Sequence, residues 1–348
     1  MNEIGKNLKR VRLLNNISLH EAGKLLNMSA PAVSKYEKGE ILPNSQKLIE
    51  FANAYKVRTI EFLKSYQVPQ MKFTSFRKKQ RLKGKNLELL QEIIQEEVAK
   101  YLEVIEMNKL ENNSKIKKYK CGSLEEAEEA ANKFRNEINI SKIQPISDLT
   151  NILENLGIII IYIKNTNNRF DDFDGLSEIV NNVPVIVLLD SIKEGARQRF
   201  TIAHELGHLV LDINNKELDE EKLCNRFSSS LLMPKEAMIN EFGKNRNRIS
   251  FYELTALKNE YKVSYAAIAY RLKDLKIISD NIYKELSIFI NKNIGKNDPK
   301  PISPEISYQF KRIVHKLESN NIISISKACE LLGETLDDYN TEDNNYRH

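Results

Sequence analysis

The chain has 348 residues, 41% hydrophobic and 29% charged, a balance that suits globular domains and excludes a disordered polymer. Its length points to roughly two or three domains. No apolar run approaches the ~20 residues of a membrane-spanning helix, the N-terminal stretch lacks the apolar core of a secretory signal, and three scattered cysteines form neither a disulfide framework nor a zinc ribbon. A cytoplasmic protein that does not meet the membrane is expected. Net charge is +5, unevenly spread: residues 1–85 carry 18 Lys+Arg against 6 Asp+Glu, or +12, and the rest 35 against 42, or −7. That is an electrostatic footprint for nucleic acid at one end, with a solvated basic surface as the plainer alternative.

In chain order, Ile4, Leu8, Val11 and Leu14 stand at helical spacing, and Ser18 caps a short helix through Leu26. Asn27 offers a left-handed turn position. Ser29 caps another helix, with Pro31 in its first turn, that stops near Gly39. Pro43 and Ser45 open one more, and the segment closes with Val57, Ile60 and Phe62. Short helices with a tight turn in the middle make a helix-turn-helix candidate.

Ser18, Ser29, Val33, Ser34, Glu37, Gly39, Pro43, Leu48, Ala52 and Val57 resemble the pattern of the Cro/C1-type (XRE) DNA-binding domain. Departures fall at Ala22-Gly23, where a Leu-Ala pair is usual, and at Leu19, where Gln is frequent. The resemblance implies an all-α domain that binds double-stranded DNA as a homodimer. Ser29, Ala30, Ser34 and Lys35 would face base edges, and Asn44 and Lys47 phosphates. A helical domain used for dimerisation or protein contact is the alternative.

Residues 72–85 hold seven basic side chains and no acid, either tracking phosphates or serving as a solvated linker. Residues 86–107 read as one amphipathic helix, and Asn112, Asn113 and Ser114 mark a break. Helices follow over 124–137, capped by Ser123, and from Asp148 to Gly157. The β-branched run 158–163 and the segments 174–180 and 183–189, the last two joined by Asn181-Asn182, predict a small sheet.

The helix predicted over 196–212 contains His204-Glu205-Leu206-Gly207-His208. Residues four apart on a helix lie about 40° apart around the axis, so both imidazoles leave one face and can grip one ion, for which zinc fits. Glu205 reaches a water at that ion and not the ion itself. A third ligand is available on the next predicted helix, 218–234, from Asp219, Glu220 or Glu221.

RQRFTIAHELGHLVL and EKLCNRFSSSLLMP are similar to the two signatures of the ImmA/IrrE zinc metallopeptidase family, and DGLS at 174–177 and SYAAIAYRLKDLKII also fit it. The resemblance implies an α+β zincin-like fold, a Zn2+ site of His204, His208 and Glu221, and Glu205 as the general base of peptide hydrolysis. Tyr261, Tyr265 and Arg271 are candidates for holding the oxyanion. Helices at 306–319 and 325–333 suggest a C-terminal module, followed by a polar tail read as disordered. His315 and His348 read as surface residues.

The expected chain is therefore multidomain: 1–66 helix-turn-helix, 67–120 basic linker and helix, 121–290 peptidase domain, 291–348 C-terminal extension. The leading reading is a DNA-binding regulator whose metalloendopeptidase domain cleaves a protein substrate, such as a helix-turn-helix repressor. The competing reading is a one-component transcription factor whose peptidase-like domain senses a ligand or partner and cleaves nothing.

Overall fold

The computed structural model describes residues 3–63, 71, 73, 84–109, 116–165, 168–214, 217–294, 298 and 301–345. Most of the basic run 72–85, the break at 112–114 and His348 lie outside the described residues. The chain divides into two compact units, one of residues 1–70 with 80–100, the other of 71–79 with 101–348. No helix among the described residues is long and apolar enough to cross a membrane.

The first unit opens with α1 (Glu3–Leu14), α2 (Leu19–Leu25) and α3 (Ala30–Lys38), then α4 (Ser45–Tyr55) and α5 (Ile60–Leu63). Each boundary has a local cause. Ser18 and Glu21 form a reciprocal capping box, Ser29 caps α3, and Gly39 ends α3 in the left-handed region at φ 74°. The turn between α2 and α3 passes through Asn27 at φ 51°. A Cβ on Gly23 would lie 2.6 Å from the Met28 carbonyl oxygen, so the departure from the usual pair at 22–23 answers a close approach inside this turn. Leu8, Val11, Val33, Leu48 and Phe62 close the core around Phe51, which meets Tyr36, Tyr55 and Phe62 edge-on.

Helix α6 (Lys85–Met107) supplies its residues through Lys100 to the first unit and the remainder to the second. In the first unit its acidic face meets α1, through Glu88 on Lys9 at 3.2 Å and Glu96 on Arg10.

The second unit contains β1 (Tyr119–Lys120), α7 (Leu124–Glu137), α8 (Leu149–Asn155), β2 (Ile159–Ile163), β3 (Leu176–Val180), β4 (Val183–Leu189), α9 (Gly195–Val210), β5 (Leu211–Asp212) and α10 (Glu220–Leu232). There follow α11 (Lys235–Phe242), α12 (Phe251–Tyr261), α13 (Tyr265–Asp274) and α14 (Asp280–Asn293). The three-stranded sheet has the order β2-β4-β3, parallel between β2 and β4 and antiparallel between β4 and β3. Asn181 and Asn182 both take positive φ, 49° and 65°, the conformation that a tight hairpin turn needs. Tyr119 and Lys120 of β1 pair in parallel with Leu211 and Asp212 of β5, where the sequence pattern predicts helix as far as 212.

Helix α9 packs against β3, β4 and α10, and α10 also packs against α7. Two polar clamps fix this frame. The buried Arg135 guanidinium donates to the carbonyls of Leu231, Ser141 and Gln144, tying α7 to the end of α10. The segment at 301–307 stitches α9 to α8: Glu305 accepts from the Leu149 and Thr150 amides at 3.0 and 2.8 Å and pairs with the buried Arg199.

A separate small core joins Val104 of α6 to α15 (Gln309–Ser319), α16 (Ile325–Leu332) and α17 (Leu336–Asn345). The tail read as disordered is thus helical through residue 345. His315, read as a surface residue, stacks on the buried Tyr339 ring with centroids 4.6 Å apart. The α16–α17 turn repeats the geometry of the α2–α3 turn. Ser324 stands for Ser18 as N-cap, Gly333 at φ 67° for Asn27, and the Glu334 amide bonds the Cys329 carbonyl as Met28 bonds Gly23.

Candidate metal centre and nucleic-acid interface

Helix α9 starts at a cap in which the Glu194 carboxylate accepts from the Ala196 and Arg197 amides, and it ends where β5 begins. Its phase brings His204 and His208 to one face, with ring centroids 4.9 Å apart. Helix α10 starts at Asp219, whose carboxylate accepts from the Lys222 amide. Asp219 is thus an N-cap, while Glu220 and Glu221 fall in the first turn, where the helix dipole favours negative charge.

The structure brings together His204, His208 and Glu221, whose donor atoms all lie within 4.8 Å of one another. The two Nε2 atoms are 3.2 Å apart, and the Glu221 carboxylate lies 3.1 Å from Nε2 of His204 and 3.6 Å from that of His208. A tetrahedral ion with bonds of about 2.0–2.1 Å has its ligand atoms about 3.3 Å apart, close to this triangle. The outer contacts favour the same occupant. The Glu220 carboxylate takes the His208 Nδ1–H at 2.9 Å, and Asn225 Oδ1 takes the His204 Nδ1–H at 2.9 Å. With both protons on Nδ1, two Nε2 lone pairs and a carboxylate converge, an arrangement that a cation stabilises. The donor set suits zinc.

Glu205 lies on the adjacent side of α9, only 7% exposed, and its Oε2 accepts a 2.7 Å hydrogen bond from the Ser177 hydroxyl of β3. Gly175 gives it room: a Cβ there would lie 3.2 Å from both Cγ and Oε1 of Glu205. Sequence reasoning assigned no role to Ser177 and Gly175, although DGLS carried the signal, a small residue and a hydroxyl two apart at the start of a strand. Asn225 carried no role in the sequence reading, and Glu220, a third-ligand candidate there, falls behind the cluster on His208.

The candidates for holding an oxyanion are engaged elsewhere. The Tyr261 hydroxyl, its pKa pushed up to about 12 chiefly by burial, donates to the Ile143 carbonyl. Tyr265 bonds Thr255 and stacks on Phe251. Arg271 is fully buried, forked onto Glu128 and paired with Asp274. All three serve packing, because α12 and α13 turn these side chains into the core.

In the first unit, Ser29 accepts from the Ala32 amide as the cap of α3, and Ser34 and Lys35 follow on that helix, half-buried and exposed. Ala30 is half-buried at its first turn. Asn44 caps α4 by accepting from the Lys47 amide at 2.8 Å, and the Lys47 ammonium pairs with Glu50 at 2.6 Å. Beneath α3 a buried ion pair fixes its angle to α1: Arg12 meets both Glu37 oxygens, at 2.5 and 2.9 Å, and donates to the Ile17 carbonyl.

Residues 8–62 match a helix-turn-helix family, and residues 153–273 match a peptidase family described as the IrrE N-terminal-like domain. No curated protein matches the chain.

Proposed function

We propose that this chain, which carries an XRE-type helix-turn-helix domain fused to an IrrE N-terminal-like peptidase domain, is a DNA-binding regulator whose second domain is a zinc-dependent endopeptidase of narrow specificity. The observation that carries this reading is the convergence of His204, His208 and Glu221 beside the buried Glu205. His204, His208 and Glu221 would hold a zinc ion, which when bound would supply Lewis acidity toward a scissile carbonyl and toward a water. Glu205 takes the proton of the attacking water and returns it to the leaving amine. Ser177 keeps the carboxylate pointed, and Asn225 and Glu220 keep both imidazoles in the tautomer that offers Nε2.

The first domain, residues 1–66, binds double-stranded DNA as a homodimer through Ser29, Ala30, Ser34 and Lys35, with Asn44 and Lys47 nearest the phosphates. The peptidase domain spans 121–290, in the cytoplasm, and its substrate is a repressor-type protein met at DNA.

Elemental analysis of protein purified without added metal tests the site. About one zinc per chain is expected in the wild type, lost in His204→Ala and Glu221→Ala and retained in Glu205→Gln, which no longer cleaves. A wild type that takes up no zinc, or a Glu205→Gln chain that still cleaves, would overturn the reading.

A further inference from the structure

Helix α6 carries Glu88, Glu92 and Glu96 at intervals of four, so the three carboxylates share one face and repel one another. Within the first unit that face lies on α1. Glu88 and Glu92 stand 3.2 and 3.8 Å from the Lys9 ammonium, and Glu96 pairs with Arg10. The two cations of α1 offset the repulsion along α6, and in doing so they are themselves neutralised.

The contact is only partly closed. A cavity of about 500 Å³ is lined by Lys9 and Arg10 of α1, Glu92 and Glu96 of α6, and Ser34 and Lys38 of α3. Burial pushes the Glu92 carboxyl up, against the pull of Lys9, and its Oε2 is buried with no hydrogen-bond partner among the described residues. A carboxylate left half-satisfied in this way costs stability, so α6 is held on α1 by a contact weaker than its charges suggest. Ser34 stands at the expected groove face, and Lys38 follows it one turn later. A cavity of that volume is roughly 10 Å across, about one Debye length in physiological salt, so carboxylates on one wall act on a phosphate approaching the other.

We propose that Lys9 and Arg10 are a further phosphate-contacting edge of the DNA-binding domain, held covered by the acidic row of α6. The proposal rests on the DNA-binding reading given above. With α6 in place, the row masks both cations and repels phosphate. With α6 off α1, both cations join the footprint. Helix α6 runs on to Met107 in the second unit, so this cover lies on the covalent route between the two units.

The test is a cycle of substitutions in the full chain, read by anisotropy on a fluorophore-labelled duplex of about 20 base pairs and mixed sequence, over about 50–200 mM salt. Glu88→Gln, Glu92→Gln and Glu96→Gln together should raise affinity about tenfold or more at the lowest salt. They should also steepen the slope of log K against log salt by about 1.8, the increment of two phosphates. Lys9→Gln with Arg10→Gln should leave the slope of the otherwise wild-type chain unchanged, yet cancel the whole gain of the triple variant. Glu40→Gln with Glu97→Gln, which removes acidic charge from the same unit away from the cavity, should not steepen the slope. A triple variant that binds as the wild type does, or an equal gain from the Glu40 and Glu97 pair, overturns the cover and leaves DNA binding. So does a slope that falls when Lys9 and Arg10 are replaced in the wild-type background, a result that needs no folded triple variant. Absence of binding by the wild type and every variant at the lowest salt overturns the DNA-binding reading itself.

Discussion

Ser177 shows how a single hydroxyl can govern a carboxylate. Glu205 is almost fully buried, so its orientation is set by the 2.7 Å hydrogen bond to Ser177 and by the space that Gly175 leaves. Outer contacts of this kind typically carry about 10- to 100-fold in activity or metal affinity. Ser177→Ala should therefore lower kcat about tenfold with zinc content and KM unchanged, whereas Ser177→Thr, which keeps the hydroxyl, should restore most of it. An alanine variant with full kcat would show that Glu205 is held by packing alone. At this scale the grouping of His204 with His208 was legible because helical period converts a spacing of four into a shared face. Ser177 was not, since nothing local links a strand residue to a helix 28 positions later.

The helices that carry the centre are fixed by buried charge as much as by apolar packing. Glu128 of α7 reaches Arg271 of α13 at 2.7 Å and Arg226 of α10 at 3.2 Å, so one carboxylate ties three helices together. Burial alone would raise its pKa, but the hydrogen bonds and charges of Arg271 and Arg226 outweigh burial and hold the carboxyl below its usual range. A group whose folded pKa is depressed stabilises the fold fully above its unfolded value of about 4.5 and loses that contribution as pH falls through the folded pKa. The urea midpoint should thus drop as pH is lowered from about 6 to about 3.5. Glu128→Gln should cost about 3–5 kcal/mol near neutrality and flatten that acid limb, and an unchanged limb would assign acid lability elsewhere. Elements of this frame were readable where pattern and caps agree: β4 is observed over the predicted residues, and Ser18, Ser29 and Ser123 cap as expected. The long-range clamps of Arg135 and Glu305 were not readable, because partners far apart in sequence leave no periodic trace. The same gap misassigned Tyr261, Tyr265 and Arg271, whose polar atoms face core partners and not the centre.

For the whole molecule, the distribution of charge decides which part meets which partner. On the proposed reading, the excess of +12 in residues 1–85 would serve DNA binding, and the −7 of the remainder would keep phosphates away from a site that takes protein. The two activities are then separable by substitution. Lys35 is exposed on α3, and Lys35→Glu reverses a charge at the expected groove face. It should weaken DNA binding about tenfold or more and reduce the slope of log K against log salt by about 0.9 for each phosphate no longer neutralised, with zinc content and peptide cleavage untouched. Filter binding across a salt series measures both quantities, and unchanged affinity would remove α3 from the groove. Glu205→Gln is the converse, retaining DNA affinity. In a reporter assay its phenotype separates a protease that clears a repressor from a sensor that only holds DNA. If proteolysis carries the signal, Glu205→Gln locks the reporter in one state. If the peptidase fold only senses a ligand, the variant responds as the wild type does, and Lys35→Glu alone abolishes the response.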